Sequence, residues 1–179
     1  AQTEHWLDTH PDARKLRLML VARLVERDEY DRALEHIERM REQQPEDFDL
    51  LYSEAEIQFR AGHNARAREL LNEYISVQTQ RRQSLVDSVT NAMADASDAR
   101  LLLVQIAESE NDYTEAIAQL ELIDDPSLRF QAQIHKAVLQ ARAGDLARAQ
   151  STIDQLPLHD DRERSVAALT LSSIYREAG

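Results

Sequence analysis

Several residue types are scarce in this chain of 179 residues, which has no cysteine, three glycines, four prolines and 5% aromatic residues. The absence of cysteine excludes a disulfide framework, a thiolate nucleophile and a zinc site with cysteine ligands. So few glycines and prolines leave little turn material for a sandwich of many short strands. No run of about 18 apolar residues occurs, so the sequence predicts no membrane-spanning helix.

Positive charge is also scarce, because 21 Lys and Arg face 33 Asp and Glu, and the formal net charge is −12. This balance has the wrong sign for a broad phosphate-binding surface. Basic residues alternate with acidic ones, as in RMRE at 39–42, which is typical of a solvated helix face with ion pairs. We therefore expect no nucleic-acid binding. With 42% hydrophobic residues, the chain is too apolar for a disordered tail.

Four segments of the chain resemble one another. Each contains a turn residue, two or three polar residues, a small Ala and an apolar residue one helical turn later. The segments are DEYDRALEHI at 28–37, GHNARARELL at 62–71, NDYTEAIAQL at 111–120 and GDLARAQSTI at 144–153. Their alanines, separated by 34, 49 and 33 residues, are Ala33, Ala67, Ala116 and Ala149. The middle gap equals one period of 34 and an insertion of 15.

A period near 34 residues with helix–turn–helix content is the signature of tetratricopeptide repeats. On these segments, the chain resembles a tetratricopeptide array over nearly its whole length. The resemblance implies an all-α fold, a right-handed α-solenoid of stacked repeats with a lengthened or extra helix in the middle. A small residue at the repeated position has its own physical reason, since it lets two helix backbones approach closely.

The repeat frame predicts pairs of helices, called A and B. The A helices are expected at about 12–27, 47–60, 97–109, 128–142 and 161–177, and the B helices at about 31–43, 64–78, 114–123 and 146–155. Residues 1–179 then form a single array, which we expect to be a piece of a longer solenoid. Its parts are the tail of a preceding repeat at 1–13, repeats at 14–47, 48–81, 97–129 and 130–164, an insertion at 82–96, and the first helix of a further repeat at 165–179.

Two departures from the repeat pattern leave alternatives open. The insertion 82–96 either lengthens the preceding B helix, with an extra turn or a break at its polar start, or projects as a helical arm for a partner. The A helices of the second and fourth repeats are more polar than the others. They carry Glu54 and Gln58, and Lys136 and Gln140, which suggests that these helices are rotated or face solvent more.

Residue patterns for catalysis or metal binding are absent. The six histidines are scattered, and His159 before Asp160 and Asp161 fits a loop and helix cap better than a metal site. Three glycines hardly build a phosphate-binding loop. Paired carboxylates precede turns or helix starts, where capping is their ordinary role. We therefore expect no enzyme activity, no cofactor and no metal.

A tetratricopeptide solenoid presents a concave groove lined by A helices, and the resemblance implies protein or peptide recognition there. The A-helix residues expected in this groove are Lys15, Tyr52, Glu56, Arg60, Asp98, Gln105, Glu108, Gln131, His135 and Arg142. Among them, an exposed Tyr52 is the strongest candidate, because aromatic residues dominate binding hot spots.

One specialisation of the family finds no match in the sequence. Tetratricopeptide domains that bind chaperone tails grip a terminal carboxylate with Lys, Asn and Arg on three successive A helices. At the matching places this chain has Leu18 and Ala22, then Ser53, then Asp98 and Leu102. The sequence therefore predicts no carboxylate clamp of that kind.

The later part of the chain resembles bacterial envelope repeat proteins, through SLRFQAQ at 127–133, AGDLARA at 143–149 and LSSIYREAG at 171–179. Some of these proteins are lipoprotein adaptors that hold a carboxy-terminal processing protease and its cell-wall hydrolase substrates. The resemblance implies a periplasmic or outer-membrane-associated scaffold; without it we expect a cytoplasmic one. Two alternatives stay open: a self-associating, homo-oligomeric structural segment, or a regulatory domain of a larger protein.

Overall fold

In the computed structural model of the protein, residues 13–84 and 96–178 are described, and they form nine α-helices and no strand. Contacts divide the chain into two compact units, Ala1–Ala94 and Asp95–Gly179, here called unit 1 and unit 2. The helices of unit 1 are α1 Arg14–Val25, α2 Tyr30–Gln43, α3 Asp49–Arg60 and α4 Asn64–Ser84. Those of unit 2 are α5 Ser97–Ser109, α6 Tyr113–Glu121, α7 Arg129–Arg142, α8 Leu146–Asp154 and α9 Asp161–Ala178.

The predicted helices are confirmed, with ends within two residues of the expected ranges except at the end of α4. This helix begins at Asn64 as expected but continues to Ser84, without a break in the polar stretch 78–83. Residues 85–95 of the predicted insertion lie outside the described residues, as do residues 1–12 of the predicted tail. An all-α helical repeat fold is therefore established.

The helices of unit 1 pack in chain order, each against the next. Ala33 and Ala67 are fully buried, as expected for a small residue at a close helix contact. The core around Ala33 contains Val21, Leu24, Ile37, Met40, Leu50 and Ile57. Burying one such aliphatic side chain stabilises a fold by about 1.5–3 kcal/mol, so these few residues hold α1, α2 and α3 together.

Unit 2 uses the same packing with one more helix. The helices α5, α6, α7 and α8 pack in chain order, and α9 contacts both α7 and α8. Ala116 and Ala149 are fully buried. One core cluster lies around Val104 and Leu120, and a second around Ile134, Ile153 and Ile174. The second cluster is what fixes α9 against the preceding pair.

The turn before each B helix places one residue in the left-handed region, five positions before the buried Ala. These residues are Asp28 (φ 58°), Gly62 (φ 81°), Asn111 (φ 59°) and Gly144 (φ 88°). Glycine adopts this conformation without steric cost, whereas Asp and Asn tolerate it through local hydrogen bonds. In both turns without glycine, a tyrosine hydroxyl two residues later donates to the side-chain oxygen: Tyr30 to Asp28 at 2.6 Å and Tyr113 to Asn111 at 3.2 Å.

The polar A helix of unit 1 does not turn Glu54 and Gln58 to solvent, so the expected solvent exposure is wrong, whereas the rotation of the helix stays a prediction. Glu54 of α3 is only 9% exposed. Its carboxylate forms an ion pair with Arg41 of α2 and a second with Arg66 of α4, the latter at 3.6 Å. Gln58 is half-buried and its Oε1 lies 2.8 Å from Nδ1 of His63. The neighbouring B helices supply polar partners, and this is why burial is tolerated.

The polar A helix of unit 2 follows the same rule with different chemistry. Lys136 of α7 donates to Glu121 of α6 at 2.6 Å. Gln140 is buried, and its Oε1 accepts a hydrogen bond from the Thr152 hydroxyl of α8 at 2.8 Å. These contacts again replace the solvent exposure that the sequence suggested.

Candidate binding grooves

A groove in unit 1 lies between the A helices α1 and α3 and has a volume of about 350 Å³. We call it the α1–α3 groove. Its apolar lining consists of Leu18, Val21, Ala22, Val25 and Ile57. Polar side chains add charge and hydrogen-bonding groups: Glu26, Ser53, Glu56 and Arg60. An apolar surface with a few polar groups is the usual composition of a ligand-binding groove.

The charged residues of the α1–α3 groove stay accessible. Glu56 and Arg60 face each other one helical turn apart, with 4.0 Å between Oε1 and Nη2. Glu26 lies 3.6 Å from Arg23 in a similar surface pair. Ion pairs this exposed are worth little, so the side chains can exchange their present partners for groups on a ligand at small cost.

A second groove, also of about 350 Å³, lies in unit 2 between the A helices α5 and α7. We call it the α5–α7 groove. Its lining is mostly apolar, with Leu101, Leu120, Leu128, Ile134 and Val138. Gln131 and His135 contribute the polar groups. The two units thus carry comparable grooves at comparable places.

A network of polar contacts around one carboxylate joins α5 to α7 beside the second groove. Oε2 of Glu108 lies 3.0 Å from Nε2 of His135, and Oε1 of the same carboxylate lies 3.4 Å from Nη1 of Arg142. The Glu108 side chain is 22% exposed, whereas those of His135 and Arg142 are more open. One carboxylate therefore orients two side chains that face the groove region.

The structure brings six of the ten predicted groove residues to these two places. Glu56 and Arg60 line the α1–α3 groove, and Gln131 and His135 line the α5–α7 groove. Glu108 and Arg142 join His135 in the network described above. The other four predicted residues line neither groove: Lys15, Tyr52, Asp98 and Gln105. Lys15, Asp98 and Gln105 are exposed elsewhere on their helices.

Tyr52 is half-buried, so the expectation that its ring is exposed is wrong. Its ring centroid lies 5.8 Å from that of Tyr74 on α4, with the planes tilted by 51°. Tilted aromatic pairs of this kind stabilise packing by roughly 0.5–1.5 kcal/mol. Part of the Tyr52 ring therefore holds α3 to α4, and its role in binding stays a prediction.

The apolar lining of both grooves is what the sequence reasoning missed. Leu18, Ala22 and Ser53 hold the positions at which a carboxylate clamp was sought, and all three line the α1–α3 groove. Leu101 and Val138 line the second groove. The repeat frame does indicate Leu18, Ala22 and Ser53 as groove positions, because the carboxylate clamp of other tetratricopeptide domains lies there. The groove residues expected from the sequence are polar or charged apart from Tyr52, so they do not include the apolar lining.

Among residues 13–84 and 96–178, no group of three or more His, Asp or Glu side chains is arranged to hold a metal ion. Nor does any described helix combine the length and apolar character needed to cross a membrane.

The fold and the grooves together define an all-α helical-repeat protein. Residues 24–88 match the family model described as tetratricopeptide repeat. A solved structure of nearly identical TPR-like repeats, from a protein described as a kinesin light chain of Podosopora anserina, is similar over 93% of this chain and 87% of that chain. The TM-score is 0.65 and the sequence identity 16%, so the similarity concerns the fold. No curated protein matches the sequence. Tetratricopeptide repeats generally mediate protein–protein interaction, and proteins built from them are typically non-enzymatic scaffolds.

Proposed function

We propose that this protein is a non-enzymatic scaffold that binds a partner protein or peptide through the α1–α3 and α5–α7 grooves. The observation that carries the proposal is the repetition of one kind of surface in both units. Each groove has about 350 Å³, an apolar lining, and charged or polar side chains beside it. Apolar anchors surrounded by polar groups are the usual composition of an interface core and rim.

The charged side chains around the grooves indicate which kind of partner segment would fit them. Glu26 and Glu56 are balanced by Arg23 and Arg60 in unit 1. In unit 2 the single carboxylate of Glu108 faces His135 and Arg142. A matching ligand presents large apolar side chains separated by groups of both charge signs. A uniformly basic or acidic segment fits these surfaces less well.

The experiment that tests this function begins with partners recovered on the immobilised protein from an extract of its source organism, identified by mass spectrometry. Binding of a recovered partner is then measured by calorimetry for wild type, Arg60→Glu and Lys15→Glu. Arg60 lines the groove, whereas Lys15 is exposed on α1 outside it and undergoes the same charge reversal. We expect Arg60→Glu to weaken binding roughly tenfold, since a charge-assisted contact contributes about 1.5–3 kcal/mol. Equal binding by all three proteins would contradict the proposal.

A finer proposal is that the scaffold is a bacterial envelope adaptor for a protease and its substrates. Its support is the resemblance of the segments at 127–133, 143–149 and 171–179. The same recovery experiment tests it. A carboxy-terminal processing protease or a wall hydrolase among the partners would support it, and a partner set confined to cytoplasmic proteins would contradict it.

Self-association is the second candidate function, and exposed apolar side chains favour it. Leu16 and Met19 on α1 are about half exposed, and Leu169 on α9 is 70% exposed. Large apolar residues of this kind on a helix face are common where proteins associate. Sedimentation velocity over a wide concentration range tests this candidate. A strictly monomeric protein at high concentration would contradict it.

A further inference from the structure

A cavity in unit 2 lies apart from the α5–α7 groove and has a volume of about 530 Å³. It forms where the first turns of α7, the end of α8 and the segment leading into α9 come together. The side chains that matter for its chemistry are Arg129, Lys136, His159, Phe130, Leu156 and Pro157. Of these, three are basic and three are apolar.

The apolar wall of the cavity is fixed in place by the core. Phe130 and Leu156 pack against the buried cluster that includes Ile134 and Ile153. Pro157, whose φ is restricted by its ring, continues this wall. An apolar side chain that enters the cavity therefore meets a formed surface and requires no rearrangement of the helices.

The basic groups of the cavity are only partly neutralised. Arg129 is exposed and makes no ion pair or hydrogen bond with any residue the structure describes, and the same holds for the His159 ring. Lys136 donates to Glu121 at 2.6 Å. The carboxylate lining the cavity, Glu163, accepts the backbone N–H of His159 at 2.7 Å and so caps the start of α9. With Arg129 and Lys136 against the one carboxylate of Glu163, the cavity lining has a formal charge of +1 beside its apolar wall, in a chain whose net charge is −12.

Unit 1 has a cavity of about 650 Å³ that lies between α2, α3 and the start of α4 and shares one repeat position with the unit 2 cavity. Its charged lining residues are Glu38, Arg41, Glu42, Glu54 and Arg66. Glu54 stands in the repeat frame where unit 2 has Lys136. Glu54 forms ion pairs with Arg41 and with Arg66. The charge at this one repeat position is therefore negative in unit 1 and positive in unit 2.

We propose that the unit 2 cavity binds an acidic segment of a partner protein, in which a carboxylate side chain lies next to a large apolar one. The apolar side chain packs on Phe130 and Leu156, and the carboxylate accepts hydrogen bonds from Arg129 and Lys136. Arginine suits this task because its planar group donates two parallel hydrogen bonds to a carboxylate. A polyanion such as nucleic acid fits less well, because it would face the net negative charge of the chain. This inference does not depend on either groove.

The test is selection of short random peptides displayed on phage against the full chain. We expect the enriched peptides to carry Asp or Glu beside Phe, Leu or Trp. Binding of one such peptide is then measured by fluorescence anisotropy. Arg129→Glu should bind it roughly tenfold more weakly than wild type, because one charge-assisted contact is lost. A carboxylate in the first turn of α7 is favoured by the helix dipole, so this variant is expected to fold.

The matched control is Arg162→Glu. Arg162 is an exposed arginine in the first turn of α9 and does not line the cavity. It should bind the peptide as wild type does. Lys136→Met, which keeps the apolar stem and removes the charge, should weaken binding. Three results would overturn the inference: no enrichment of acidic residues, equal binding by Arg129→Glu and wild type, or peptides whose binding depends on Arg60. The last result would instead support the α1–α3 groove, so the two proposals fail separately.

Discussion

The two units start their B helices in different ways. In unit 2, the side chains of Asp112 and Asp145 accept hydrogen bonds from the backbone N–H groups of Glu115 and Arg148, each at 3.0 Å. In unit 1, Glu29 precedes α2 and makes no side-chain cap. The helix starts of unit 2 are therefore specified by local sequence. The start of α2 depends more on packing against its neighbours.

The second A helix of each unit shows a similar contrast. Unit 1 buries a carboxylate, Glu54, between two arginines of the flanking B helices. Unit 2 has Lys136 at the same place and pairs it with one carboxylate, Glu121. One helical framework thus accepts opposite charges at one position, provided that the flanking helices supply the partner. The charge at this position therefore differs between the units, negative in unit 1 and positive in unit 2.

The largest effect is expected where the units agree, at the small residue of the repeat. Ala67→Leu should destabilise the protein by roughly 1–3 kcal/mol, because Ala67 is fully buried and a larger side chain forces the helices apart. Urea titration followed by circular dichroism measures this. The control is Ala65→Leu on the exposed face of α4, which should stay close to wild type. A neutral Ala67→Leu would show that the helix contact is misplaced.

The next effect tests the buried carboxylate of unit 1. Glu54→Gln removes the charge that pairs with Arg41 and Arg66, so we expect a loss of about 1–2 kcal/mol in unfolding free energy. Both arginines are partly exposed, so the loss stays below that of a fully buried pair. Thermal unfolding compares this variant with Glu56→Gln, in which a more exposed carboxylate on the same helix is replaced. Equal melting temperatures for the two variants would contradict this account of α3.

Removal of the helix caps tests the contrast between the units directly. Asp145→Ala should destabilise the protein by about 1 kcal/mol, since one backbone N–H at the start of α8 loses its acceptor. Glu29→Ala should cost less, because Glu29 makes no cap. Chemical denaturation of both variants compares the two. A larger loss for Glu29→Ala would reverse the comparison.

The smallest effect concerns the turn before α2. The hydrogen bond to Asp28 raises the pKa of Tyr30, with a smaller contribution from desolvation. Stability from a group with a raised folded-state pKa is present below the unfolded pKa and is lost as pH rises through the folded one. We therefore expect a small loss of stability in the alkaline range, above the ordinary tyrosine pKa. In Asp28→Gly, ultraviolet titration should show Tyr30 ionising at lower pH. An unchanged titration would exclude this hydrogen bond as the cause.

The helices could be predicted from the sequence because one spacing recurs four times. Ala33, Ala67, Ala116 and Ala149 fix the register of every B helix, and each A helix must then precede its partner at a set distance. Partners across helices could not be predicted in this way. Nothing near Glu54 in the sequence shows that Arg41 and Arg66 converge on it, and so its polarity suggested solvent exposure.

The groove residues could be predicted only in part, because helix rotation decides them. Successive residues on a helix point about 100° apart, so an error of one position moves a side chain off the groove. Glu56 and Arg60 line the α1–α3 groove, whereas Asp98 and Gln105 are exposed elsewhere on α5, and the part of each in binding stays a prediction. The basic cavity of unit 2 is built from the ends of separate helices, and no local pattern in the sequence indicates it.

The measurement that tests the central claim most directly is hydrogen exchange of the protein with and without a partner recovered from its source organism. The account predicts slower exchange in the A helices that form the grooves, first at Leu18–Val25 of α1 and Ser53–Arg60 of α3. The B helix α2 should change little. Slower exchange confined to the B helices, with the A helices unaffected, would contradict binding through the grooves.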